Sequence, residues 1–69
     1  MNLSSAKRAA SAAFNGKVDV QAEAAPWDAD TLCITVHLQD GRGHTWSGPA
    51  GTKAKDVTAF FRAWYDKLV

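Results

Sequence analysis

The sequence has little that could staple or anchor it. A single cysteine, Cys33, in 69 residues excludes an intramolecular disulfide. No stretch approaches the roughly 18 consecutive apolar residues that cross a bilayer, and residues 1–20 lack the apolar run of a secretory signal. A cytosolic protein without membrane contact is therefore expected. Neither sign of charge dominates: 8 Lys and Arg stand against 7 Asp and Glu, a formal net charge of +1. Basic residues gather only as Lys7-Arg8 and as Lys53 with Lys55, not as the stripe that a dedicated nucleic-acid binder carries. A chain this short forms one domain, residues 1–69, and buries only about 60% of the surface its unfolded form exposes. With no disulfide to help, an economical core or self-association must supply the stability, and near-neutral charge eases self-association.

What the chain does have is aromatic residues near its end. From Thr52 to Val69, residues Ala54, Val57, Phe61, Trp64, Tyr65 and Leu68 fall within one arc at a 3.6-residue period, with Phe60 on its margin. This predicts an amphipathic helix, capped by Thr52, whose outer side carries Lys55, Asp56, Arg62 and Asp66, the last two spaced for a weak ion pair. Four large rings on one helix need a partner surface. Met1 to Asn15 reads as a first helix, capped by Ser4 or Ser5 and stopped at Asn15-Gly16; Leu3, Ala6, Ala10, Ala13 and Phe14 share its inner face.

Between the helices the period falls to two. Lys17–Ala24 alternates Val18, Val20, Ala22 and Ala24 with polar residues, and Thr31–Gln39 alternates Leu32, Ile34, Val36 and Leu38 with Thr31, Cys33, Thr35, His37 and Gln39. The intervening Ala25–Asp30 is a loop, since Pro26 breaks a ladder and the two Asp residues favour turns. Trp27 in it is expected to fold back as a lid on the core edge; standing out instead, it would anchor a partner. Asp40-Gly41 predicts a hairpin leading to a third strand, roughly Gly43–Ser47. A two-residue turn pairs His37 with His44 and Thr35 with Trp46, leaving His44 and Trp46 on the polar face. A three-residue loop with a bulge turns both inward. The first register is expected, because it keeps His44 hydrated. The fold class that follows is α+β in the order α-β-β-β-α: a three-stranded antiparallel sheet with both helices packed on one face.

Chemistry-bearing constellations are sparse. In the expected register His37 and His44 face each other about 5 Å apart, but Cys33 lies roughly 13 Å along the strand from His37, so three or four ligands do not converge and no metal or cofactor is expected. Cys33 has no basic neighbour to lower its pKa. Asp40, His44 and Ser47 lie along one hairpin with no pocket for a nucleophilic triad, and Gly51-Thr52-Lys53 misses the phosphate-loop pattern. No catalytic residue is assigned and no enzyme is expected.

Two partner classes are left. The element order, with Gly51-Thr52-Lys53-Ala54-Lys55 opening the second helix, resembles the double-stranded RNA-binding domain. That resemblance implies phosphate contacts by Lys53 and Lys55, with Lys7 and Arg8 beside them. Asp56 directly after the lysines and the acidic Pro26–Asp30 loop depart from that family's pattern and make nucleic acid the secondary expectation. The primary one is a non-enzymatic protein-binding module, an inhibitor or adaptor of the phage or mobile-element kind, able to pair with itself through free strand edges. Its contact residues are expected to be Trp27, His37, His44, Trp46, Phe60 and Arg62, aromatics ringed by charge.

Overall fold

The computed structural model describes residues 1–15 and 17–68. They form α1 (Leu3–Ala12), β1 (Asp19–Ala25), β2 (Asp28–His37), β3 (Gly43–Pro49) and α2 (Ala54–Asp66). The strands make one antiparallel sheet in the order β1-β2-β3. Helix α1 packs on β1 and β2, and α2 packs on β3 and α1, so both helices cover one face, as the alternation requires. Among the described residues no helix is long and apolar enough to cross a membrane.

Local chemistry sets the helix ends. Asn2, not Ser4 or Ser5, caps α1: its side chain accepts the Ser5 N–H at 2.8 Å while Ser5 Oγ accepts the Asn2 N–H at 3.0 Å. This reciprocal pair satisfies two donors that the first turn otherwise leaves without partners. After α1 the chain reverses through Asn15, which takes the left-handed conformation itself at φ 56°, a conformation that Asn tolerates better than most residues. The Gly16 half of the expected stop lies outside the described residues, as does Val69 at the end of the second helix. Helix α2 starts one residue later than expected, with Lys53 rather than Thr52 at the cap and no side-chain cap bond; the Thr52 N–H is turned back to Pro49 O at 3.0 Å. Asp56 in its first turn favours the helix dipole.

The core is small and built on alanine. Ala6, Ala9, Ala10, Ala13 and Phe14 of the α1 region are buried with Leu32, Ile34, Val36, Val57 and Phe61. Phe61, Ile34, Val36 and Val57 are fully enclosed, each contributing on the order of 1.5–3 kcal/mol by burial. The alanines let α1 and α2 approach closely enough for Thr58 Oγ1 to donate to Ala9 O at 2.6 Å. Phe14 then closes the seam from below, its ring 5.2 Å from Tyr65, 6.1 Å from Trp64 and 6.2 Å from Phe61, in the tilted and edge-on arrangements that aromatic quadrupoles prefer. Leu3, expected on the inner face, is 42% exposed.

The third strand corrects the expected register. Val36 pairs with His44, Ile34 with Trp46 and Leu32 with Gly48, so His44 and Trp46 point toward the helices. The loop is the three-residue form: Leu38 N–H donates to Arg42 O at 2.8 Å, Gly41 N–H donates to Leu38 O at 3.1 Å, and Gly41 takes φ +94°. Asp40 stabilises this loop by accepting the Arg42 N–H at 3.0 Å and Nε–H at 2.6 Å, with an ion pair to the same guanidinium. The gain from burying an indole against the core outweighs keeping an imidazole hydrated.

Candidate functional site

Among the described residues, the β1–β2 turn holds the most exposed large apolar side chain. Ala25 pairs with Asp28, closing a connection of only Pro26 and Trp27, and Ala25 itself is buried. Pro26 fixes its own φ, and the Asp28 carboxylate accepts the Asp30 N–H at 3.0 Å and the Thr31 hydroxyl at 2.9 Å. Those two bonds hold the Asp28 carboxyl below its ordinary pKa, the backbone N–H contributing most. The register steps between Ala24 and Ala25, and β2 turns its free residues to the other side: Thr31 pairs with Pro49, and Asp30 O accepts the Ala50 N–H at 2.7 Å. The tip is thus tied down on both flanks while Trp27 is 74% exposed. It stands out from the core and is not the lid that the loop suggested.

The uncovered sheet face is polar. It carries Asp19, Gln21 and Glu23 of β1, Thr31, Cys33, Thr35 and His37 of β2, and Thr45 and Ser47 of β3, the Thr35 and Thr45 hydroxyls lying 3.2 Å apart. Because His44 and Trp46 have left it, His37 is the one ring-bearing side chain among the described residues of this face. His37 and His44 now lie on opposite faces, so the two-histidine juxtaposition is lost as well. Among the described residues no three His, Cys, Asp or Glu side chains are grouped as a metal site.

His44 has a different setting. Its imidazole lies flat between two rings of α2, 4.8 Å from Trp64 at an interplanar angle of 7° and 5.2 Å from Phe60 at 14°, with Phe61 edge-on at 6.2 Å. Phe60 and Trp64 are four apart and so project from one flank of the helix, where each stacks on the imidazole. Phe60 is 39% exposed and also supports His44. A hollow of about 280 Å³ opens beside them, lined by His44, Phe60, Ala63, Trp64 and Lys67.

The six expected contact residues therefore do not converge. His44 and Phe60 touch. Trp46 is half-buried against the core, Trp27 is at the β1–β2 tip, and His37 is exposed at the end of β2. Arg62 is exposed on the α1 side of α2, beside Phe14, Asn15 and Tyr65. Trp64, which the sequence suggested only as core, joins Phe60 around His44; the signal was the i, i+4 aromatic pair. Lys7, Arg8, Lys53 and Lys55 are all exposed, but the bond from Ala50 to Asp30 brings the acidic β1–β2 turn against the loop that leads into Lys53. Compared with protein-family models, curated proteins and solved structures, the chain matches none.

Proposed function

We propose that this protein acts by protein–protein contact, as an adaptor or inhibitor without catalysis of its own, and that Trp27 is its anchor. The observation that carries this reading is an indole 74% exposed on a two-residue turn whose neighbours are held by hydrogen bonds. A large apolar ring displayed on a rigid mount costs little ordering entropy when it is buried by a partner, and tryptophan is the residue most enriched among energetic hot spots. Asp28 and Asp30 beside it supply the polar rim that surrounds such an anchor. The fold needs none of this exposure: Trp27 is not part of the core cluster.

The test compares wild type with Trp27→Ala as bait in extracts of the native host, with retained proteins quantified by mass spectrometry. Loss of a hot-spot ring of 2 kcal/mol or more weakens binding by about 30-fold or more, so at least one protein held by the wild type is expected to be lost, at an unchanged melting midpoint. An identical retained set refutes the anchor. A parallel titration with a duplex RNA of about 16 base pairs tests the nucleic-acid alternative through Lys7, Arg8, Lys53 and Lys55. Affinity that falls steeply with salt and survives Trp27→Ala would favour that alternative.

A further inference from the structure

One flank of α2 is left open to solvent, its single contact with another element among the described residues being the stack of Phe60 on His44. Thr58 reaches α1 and Val57 and Phe61 face the core. At 3.6 residues per turn, the opposite flank is the stripe Asp56, Phe60, Ala63 and Lys67, spaced four, three and four residues apart. It looks away from α1 and, beyond the Phe60–His44 stack, past β3, one of the two edge strands of the sheet. All four residues are exposed, and among the described residues neither Asp56 nor Lys67 joins an ion pair. They cannot pair with each other, being about 16 Å apart along the axis at 1.5 Å per residue.

The order acid, ring, small residue, base is self-complementary when reversed. A two-fold axis crossing α2 between positions 61 and 62 carries 56 onto 67 and 60 onto 63. We propose that α2 packs antiparallel against α2 of a second copy of this chain. Asp56 of each copy then meets Lys67 of the other, and each Phe60, keeping its stack on its own His44, packs over Ala63 of the other copy at the rim of the hollow lined by His44, Phe60, Ala63, Trp64 and Lys67. Ala63 is the small residue that lets helices approach to the usual 8–10 Å, and every contact occurs twice, as a two-fold interface requires. The charges select an antiparallel arrangement, since a parallel one sets Asp56 against Asp56 and Lys67 against Lys67. A helix pair of this length is at the small end of interfaces, so the dissociation constant is expected on the order of 100 µM. This contact uses none of the Trp27 hairpin and stands independently of that reading.

Sedimentation equilibrium to about 1 mM, tenfold above that constant, tests it. Wild type is expected to dimerise, and Trp27→Ala to dimerise equally. Asp56→Lys and Lys67→Asp each place like charges together at both symmetric contacts and weaken the dimer by about tenfold. Mixing the two variants restores attraction at both contacts, so a heterodimer forms as tightly as the wild-type dimer. Phe60→Ala also weakens the dimer, with circular dichroism confirming that each variant is folded. Wild type that stays monomeric to 1 mM overturns the proposal and leaves the flank to a different protein. Dimers indifferent to the charge reversals, or a mixture that gains nothing over its components, overturn it equally.

Discussion

Gly48 carries the sharpest test of how the Trp46 indole is seated. A Cβ built at Gly48 would lie 2.7 Å from Trp46 Cζ2 and 3.0 Å from Cη2, because the indole lies along β3 over the bare backbone two residues on. Carbon atoms rest about 3.5–4.0 Å apart, so Gly48→Ala forces the ring roughly 1 Å away from its seat on the core. Overpacking of this kind costs about 1–3 kcal/mol. Alanine in place of a strand glycine recovers about 0.5–1 kcal/mol of chain entropy, leaving a net loss of up to about 2.5 kcal/mol. Urea denaturation followed by circular dichroism measures it. The decisive form is the double-mutant cycle: with Trp46→Ala in place, Gly48→Ala is expected to become neutral or stabilising, a coupling of about 1–3 kcal/mol. If Gly48→Ala stabilises the wild type, or the two changes are additive, the ring does not cover Gly48 and the seat described for the Trp46 indole is wrong.

Two further tests address the core and the turns. Phe61→Ala removes a fully enclosed ring and is expected to cost about 3–5 kcal/mol, a large part of the roughly 3–10 kcal/mol available to 69 residues; retention of the wild-type melting midpoint would show that α2 does not pack as described. The Asp28 and Asp40 carboxyls both sit below their ordinary value of 3.8, Asp28 through the Asp30 N–H and the Thr31 hydroxyl and Asp40 through Arg42. Their stabilising contribution is therefore complete above that value and is lost as pH falls through the depressed folded-state values. Melting midpoints measured from pH 6 down to about 2 should show the wild type converging on the Asp28→Asn/Asp40→Asn variant only at the acid end; a constant gap across the range would refute this.

The element order was legible because periodicity carries it: the apolar arc at 57, 61 and 64 and the alternation at 32, 34 and 36 each admit one secondary structure. The hairpin register was not, since Asp40-Gly41 suits both loop lengths; a positive φ at Gly41 serves a two-residue turn and a bulged three-residue loop alike. Nor does β3 vote clearly by composition, for one face offers His44 and Trp46 and the other Gly43, Thr45 and Ser47. The start of β2 was hidden for another reason. Asp28 and Asp30 are poor strand residues in general, but here the Asp28 side chain bonds the local backbone and β2 begins at Asp28, with a register step between Ala24 and Ala25. Expecting a loop there also misplaced Trp27. The candidate contact residues scattered because their grouping depended on the outward register, which moved His44 and Trp46 across the sheet.

The alanine seam of α1 limits what the helix can become. With Ala6 and Ala10 at zero exposure and Ala9 and Ala13 nearly so, there is no room for even one added methylene before the helix must lift away. Lifting would break the bond from Thr58 to the Ala9 carbonyl and draw Phe14 out from beneath α2. Four of the smallest side chains in the molecule therefore keep its largest rings in register, and growth at any of them would be felt on the far side of the fold, where His44 lies between its two neighbours.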